Sequence, residues 1–371
     1  MLAVQEYLQT RTLEDLGSEL GIRVCRHDTD PLVILNYSQI ESPKTHPVVR
    51  ECRGLTLHAD TNEIVARAFP RFYNWGEVAD EQSLFDFSDF IVQSKEDGSL
   101  VLIYQYGGHW RANTRGSFGE DFLPFQSFNW QEGFRRALGV SSLDELGLAP
   151  GHTYVCEFCS PWNKVVRRYE TPAMFLLTAF RGGDELSWEE VDELGQGKPF
   201  LRPTRYCFRS IEAIEAFLRK QSQDDPTFEG VVIRDRKGHR WKVKSPTYLS
   251  LHRLGSDKGS LFNPKNLLPF VLSGEEAELL CYFPEVKERF CEVKSQVESH
   301  FAQLQSVWKE SKDIADQKGF ALSIMGKTPF TGILFNMRKN GLTDLRAEWA
   351  KSEAVILKHI KGHDSICSFS A

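Results

Sequence analysis

Between residues 50 and 250 the chain is cut into short runs rich in β-branched and aromatic residues, and this texture constrains the fold more than any other feature. EIVARAF, FIVQS, LVLIYQY, HWRANT, TYVCEF, AMFLLTAF, GVVIRD and RWKVKS all have the length of a strand, and Asp-Gly, Gly-Gly or Lys-Gly separates several of them. Two stretches, 124–138 and 210–221, read as helices instead. Long crossovers are missing between most strands, so the sheets are expected to be antiparallel and the class α+β.

Near residue 255 the texture changes. GSDKGSLFNPKN reads as a linker or loop. Beyond it Phe290, Val293, Val297, Phe301, Leu304 and Trp308 recur at steps of three and four, which predicts one face of a long helix. Leu342, Leu345, Trp349, Ile356, Leu357 and Ile360 predict a second amphipathic stretch. Both stripes read as core. The expected layout is a β-rich domain over 1–255 and an all-helical domain over 256–371, and 371 residues suffice for two cores. The first 40 residues combine an amphipathic helix with the strand-like PLVILNY. Early acids and the lack of a long apolar core make MLAVQEYLQTRTLEDLGSELG unlike a signal peptide.

No run of about 18 apolar residues occurs, so no membrane-spanning helix and no membrane partner are expected. Eight scattered cysteines suit a reducing, cytoplasmic compartment. A net charge of -6 argues against a non-specific nucleic-acid coat but leaves room for an enzyme whose cations gather in one groove. From residue 256 onward 15 Lys/Arg balance 15 Asp/Glu, so the tail is no basic arm.

The chemistry concentrates in a few short segments. Ser94-Lys95-Glu96-Asp97-Gly98-Ser99 lies between two apolar strands, and its Asp-Gly reads as a hairpin turn. Alone it is an ordinary solvated turn. A lysine nucleophile must be a neutral amine, which burial or neighbouring cations favour. Trp241-Lys242-Val243-Lys244 supplies candidate cations: alternation sets Lys242 and Lys244 on one face and the apolar pair on the other. That arrangement suits a phosphate cradle. Glu229 opens an apolar strand and could hold Mg²⁺, a hard cation that prefers oxygen. Glu157 faces away from Cys156 and Phe158 in the middle of an apolar strand and needs a partner, be it a ribose hydroxyl, a metal or an arginine. Cys156 and Cys159 form a CxxC, but zinc would need a second pair of ligands at short spacing and none follows. Arg53, Arg71 and Arg115 punctuate the same half, and Tyr73 reads as core more readily than as a stacking platform.

Taken in order, ECRG, RFYN, KEDGSL, RGS, CEF, EGVVI and KVKS resemble the covalent nucleotidyltransferases, and most closely the phage RNA ligase 1 family. The resemblance runs from about residue 30 to 255 and continues locally through Tyr248-Leu249-Ser250-Leu251-His252. It implies an antiparallel-sheet nucleotidyltransferase domain, ATP-grasp-like, and an ATP-dependent ligase that joins RNA ends bearing a 5′-phosphate and a 3′-hydroxyl. Lys95 would become adenylylated. Lys242 and Lys244 would bind the α-phosphate, and Glu229 would position Mg²⁺, with Mn²⁺ as an alternative. Glu157 and Arg53 would contact ribose or phosphates. Tyr37, Arg71 and Arg115 match positions near the triphosphate, Tyr73 an aromatic near the nucleotide, and Glu96 and Gly98 the nucleotide-contacting turn, with Gly98 letting the backbone approach closely. The family carries lysine where Arg71 and Arg115 stand, and a planar fork makes different contacts from a point charge. A monomer acting on nicked tRNA is the implied setting. A DNA ligase, an mRNA guanylyltransferase and a catalytically dead RNA-binding relative are the alternatives. The first two place a β-barrel after the KxK strand, against the helical texture here.

Overall fold

The computed structural model describes residues 1–124, 126–163, 167, 169–245 and 262–361. It divides into two compact units, Met1–His252 and Arg253–Ala371.

The first unit carries fourteen strands among the described residues: β1 (Ile22–Arg26), β2 (Leu32–Tyr37), β3 (Arg53–His58), β4 (Ile64–Ala66), β5 (Tyr73–Asn74), β6 (Phe90–Ser94), β7 (Ser99–Tyr106), β8 (His109–Thr114), β9 (His152–Cys159), β10 (Ala173–Arg181), β11 (Asp184–Glu185), β12 (Arg205–Tyr206), β13 (Gly230–Asp235) and β14 (Arg240–Lys244). They form three sheets, ordered β1-β2-β3-β4, β11-β10-β9-β7-β8 and β12-β6-β13-β14-β5. Every described pairing in them is antiparallel except β14 with β5.

One expectation is overturned at the heart of the molecule. Asp97-Gly98 is not a hairpin turn. β6 pairs with β12 and β13, whereas β7 pairs with β8 and β9, so the turn carries the chain from one sheet to another. An Asp-Gly step gives the local reversal that sequence detects. Which strands then pair is settled by which edges are available, and that is a long-range matter.

Around the sheets, helices follow their caps. The N-terminal amphipathic stretch is two helices, Ala3–Tyr7 and Leu13–Leu20, because Thr12 and Asp15 form a reciprocal capping box that starts the second. Asn129 caps Trp130–Leu138, so that helix begins later than its composition suggests. Ile211–Asp224 is capped by Ser210 and buries Ile214 and Leu218. Trp188–Gly195 was not foreseen, although Ser187 and Glu190 spell a capping box.

In the third sheet, Val92, Val231, Ile233, Trp241, Val243 and Tyr73 share a core with Ile214 and Leu218. The period of two leaves Lys242 and Lys244 on the opposite face.

The second unit is helical throughout its described residues, with helices at Pro264–Ser273, Glu276–Tyr282, Lys287–Ser311, Gln317–Ile324, Thr331–Asn340, Leu345–Ala350 and Glu353–Leu357. Phe290, Val293, Val297 and Leu304 of the long helix are buried, and Phe301 and Trp308 pack against the same core. Asn263 caps the helix that begins at Pro264, so the loop reading of 255–266 extends too far at its end. The second stripe is broken at Lys351–Ser352, yet Trp349, Ile356 and Ile360 still reach the core. No described helix is long and apolar enough to cross a membrane.

Candidate active site

Lys95 directly follows β6, and its backbone N–H donates to the Gly230 carbonyl at 2.9 Å, which fixes it beside the start of β13. Its Nζ lies 2.6 Å from Glu229 Oε2, and Lys244 Nζ lies 3.2 Å from Glu229 Oε1. One buried carboxylate therefore holds two amines from different parts of the chain. Simple alternation would set Glu229 on the apolar face with Val231. The chain turns at Gly230, with φ of 139°, where a side chain would come within 2.7 Å of the Lys244 Cα. That glycine frees Glu229 from the alternation and lets it meet the lysines.

Burial by itself would raise the Glu229 carboxyl, but Lys95 and Lys244 outweigh it and hold the group below its ordinary range. Glu157 on β9 shows the reverse balance. Burial pushes it up to about 7, the nearby Lys95 and Arg53 offset this only in part, and Glu229 and Asp97 add to the rise.

Beyond Glu157 the site continues as a cluster of cations. Arg53 begins β3 and stacks on Phe69 and Phe72, with its guanidinium carbon 4.6 and 5.3 Å from the ring centroids. At Gly54, with φ of 75°, an added Cβ would sit 3.1 Å from the Arg115 Cα, so the glycine lets this backbone lie close and bring Arg53 beside Arg115. Arg71 and Arg115 lie 4.3 and 5.3 Å from the Tyr37 ring centroid. Burial would raise the Tyr37 phenol, yet Arg53, Arg115, Lys242 and Arg71 together bring it down to about 8. A phenol ringed by four cations marks a place built for an anion.

Tyr37, Arg53, Arg71, Arg115, Lys95, Glu157, Glu229, Lys242 and Lys244 thus belong to one constellation, although 207 positions separate Tyr37 from Lys244. Three expected residues sit differently. Tyr73 pairs with Trp241 across β5 and β14, on the face away from the lysine pair, and its hydroxyl donates to the Lys44 carbonyl at 2.7 Å. The aromatic on the cation side is its neighbour Phe72, whose centroid is 4.8 Å from Lys242 Nζ. Glu96 is buried with its carboxylate engaged by Ser94 Oγ at 2.6 Å and Tyr169 Oη at 2.9 Å, so its side chain braces the turn. Gly98 is required by β9: an added Cβ would overlap the Phe158 carbonyl and sit 2.8 Å from Cys159 Sγ. Its close approach is to protein backbone.

Sequence reasoning missed Phe72, Tyr169 and Arg240. Alternation within Arg71-Phe72-Tyr73-Asn74 could have found the first, and the run Arg240-Trp241-Lys242-Val243-Lys244 the last. Tyr169 had no signal. It accepts from the Asp97 N–H at 3.1 Å across 72 positions. Cys156 and Cys159 are free, buried thiols, both held above the usual range chiefly by burial. Tyr248 to His252, the end of the motif series, lie outside the described residues.

The donor set fits a divalent cation of one kind. Among the described residues no group of three or more His, Cys, Asp or Glu forms a cage. Two carboxylates, Glu157 and Glu229, lie close enough near Lys95 for Glu229 to raise the proton affinity of Glu157. Mg²⁺ is usually held by one or two carboxylates together with phosphates and water, which suits this pair.

Known proteins resemble this chain in the same region. A family model described as RNA ligase matches residues 51–248. A protein of Autographa californica nuclear polyhedrosis virus, provisionally named a bifunctional polynucleotide kinase/RNA ligase, is 30% identical over 77% of this chain and 42% of its own length. The chain therefore spans less than half of that relative. An RNA ligase of Rhodothermus phage RM378 is 24% identical over 74% of this chain and 78% of its own. Among solved structures, an archaeal ATP-dependent RNA ligase superposes with a TM-score of 0.51 at 16% identity, covering 87% of this chain and 89% of that one, which shows a shared fold.

Proposed function

This chain belongs to the RNA ligase family, and on that premise we propose that it is an ATP-dependent RNA ligase working through a lysyl-adenylate on Lys95. The observation that carries this reading is the Lys95–Glu229–Lys244 bridge. It sets a potential nucleophile and a phosphate-binding cation within the span of one carboxylate.

In the first step Lys95 Nζ attacks the α-phosphorus of ATP. The N–P bond forms as the bond to pyrophosphate breaks. Lys95 must lose a proton to attack, and Glu229 Oε2, 2.6 Å away, is the acceptor in reach. Lys244 and Lys242 face the α-phosphate and stabilise charge as it develops on its oxygens. Arg53, Arg71, Arg115 and the Tyr37 hydroxyl hold the β- and γ-phosphates in line for departure. Glu157 takes the ribose. Glu229, with Glu157 nearby, would hold a bound Mg²⁺, which would neutralise phosphate charge and favour the uncharged amine. AMP then passes to the 5′-phosphate of an RNA end, and a 3′-hydroxyl attacks that end and expels AMP. All three steps are phosphoryl transfers, in which positioning and electrostatics supply most of the acceleration.

The related DNA ligase and capping chemistries share the first step. The second unit supports the RNA reading, since its described residues hold helices and no strand where those enzymes place a β-barrel. We assign the ligase domain to 1–255 and a substrate-choosing role to 256–371, with repair of nicked tRNA by a monomer in the cytoplasm as the setting.

The test uses purified protein and radiolabelled ATP. Label should become acid-stable on the wild type and be absent from Lys95→Ala. Ligation is then compared on 5′-phosphorylated single-stranded RNA, nicked duplex and broken tRNA. Label on the variant, or joining of DNA nicks alone, would overturn the reading. A deletion of 256–371 that kept the same substrate preference would remove the role given to the helical unit.

A further inference from the structure

A cavity of about 410 Å³ lies in the first unit, where the β13–β14 hairpin, β5 and the β10–β11 hairpin meet. Its walls include Arg50, Arg67, Arg71, Lys237 and Arg240 against Glu81, Asp184 and Glu185. Two of the acids are already matched: Arg50 bonds Glu81 at 3.0 Å, and Arg240 bonds Glu185. Arg67, Arg71 and Lys237 then face Asp184, so positive charge is in excess.

The unsatisfied atoms point the same way. Among the described residues, the lining atoms that are buried without a hydrogen-bond partner are Arg50 Nε, Arg67 Nε, Arg71 Nη1 and Trp241 Nε1. All four are donors and none is an acceptor. Arg71 is only 5% exposed and Trp241 2%. A buried donor left unpaired is costly, so four of them favour a ligand rich in acceptors. With the excess charge, that ligand is an oxyanion, and a planar guanidinium fork matches a phosphate best.

The cavity also connects to the nucleotide site. Lys244, Lys242 and Arg240 alternate along β14, so three cations step along one face at roughly 7 Å intervals, from Lys95 toward the cavity. Arg71 lines the cavity and also stacks on Tyr37.

We propose that this cavity binds a backbone phosphate of the RNA strand whose end is presented to Lys95. The proposal rests on the RNA-ligase reading and adds to it a place for the polymer outside the ATP site. Its ligand chemistry, a phosphate oxyanion, could also come from the released pyrophosphate, and the test separates the two.

Lys237 is exposed on the hairpin turn, so Lys237→Glu should fold. Arg67→Gln is the second variant, and Lys220→Glu, on an exposed helix face away from the cavity, controls for bulk charge. Binding of a 5′-phosphorylated single-stranded RNA is measured against salt, alongside labelled Lys95 adenylylation and its inhibition by pyrophosphate. RNA affinity should fall about tenfold in each cavity variant, and the slope of log K against log[salt] should shrink by about 0.7 for a lost contact. Adenylylation and pyrophosphate inhibition should stay within about twofold of wild type. Unchanged RNA binding, an equal loss in Lys220→Glu, or weakened pyrophosphate inhibition would each overturn the proposal. Failure of the wild type to adenylylate would instead count against the ligase reading.

Discussion

Glu229 Oε2 accepts a 2.6 Å hydrogen bond from Lys95 Nζ, joining the residue after β6 to the residue before β13 across 134 positions. The same carboxylate holds Lys244 at 3.2 Å. Removing it should leave two half-buried lysine side chains facing each other without their shared anion. We expect Glu229→Ala to slow lysyl-adenylate formation by about 100-fold or more, the loss of at least 2.7 kcal/mol of transition-state stabilisation. Lys95→Arg should give no adenylate at all, since a guanidinium is not deprotonated in proteins. Single-turnover labelling checks both. Near-normal rates in Glu229→Ala would detach the bridge from the chemistry.

Glu157 gives a pH signature of definite sign. Its folded-state carboxyl titrates near 7, above its ordinary value of 4.5. The native state then binds more protons than the unfolded chain across that window, so stability should fall as pH rises through it. In urea unfolding, Glu157→Gln should lose this component and be more stable than wild type above about pH 8 by on the order of 1–3 kcal/mol. Parallel pH profiles for the two proteins would refute the assignment.

Tyr37 should report on the cation cluster directly. With four cations holding its phenol near 8, near-ultraviolet absorbance should show a tyrosinate component at that pH that vanishes in Tyr37→Phe. Arg115→Gln should move it upward. Tripolyphosphate should do the same, because an added anion offsets the cations that favour the phenolate. A titration confined to the ordinary range near 10 would be the contrary result.

Tyr169 is a positioning residue. Its hydroxyl donates to Glu96 and accepts from the Asp97 N–H, bracing the turn that carries Lys95. Tyr169→Phe should cost about 1–3 kcal/mol of stability and slow the adenylylation step while leaving the KM for ATP little changed. Glu96→Gln, which keeps one accepting oxygen and puts a donating NH2 where the other stood, should lose part of the same bracing. A rise in KM with no change in rate would point to nucleotide contact instead.

Gly98→Ala separates packing from ligand binding at the same turn. Because the added Cβ would overlap β9, the variant should be destabilised by roughly 3 kcal/mol in thermal melts without any nucleotide. Normal melting with weakened ATP binding would return Gly98 to the nucleotide.

The residues of the proposed chemistry were legible in the sequence because they sit in short, ordered motifs. Alternation alone put Lys242 and Lys244 on one face, and the step of three and four found the helix that buries Phe290, Val293 and Val297. Local rules stopped where distant segments met. They read Asp97-Gly98 as a hairpin, since nothing in six residues says that β6 and β7 pair with different strands. They could not turn Glu229 off the apolar face, which took the backbone of Gly230 against β14. They read Tyr73 as core more readily than as a stacking platform, and its parallel pairing with Trp241 turns it into the core; only the family resemblance set it near the nucleotide, whereas Phe72 is the aromatic beside Lys242. Sequence determined which side chains could do phosphoryl transfer, because periodicity and residue type are local. Tertiary structure decided which of them meet and with what charge, because the position of a strand edge and the burial of a carboxylate depend on the whole chain.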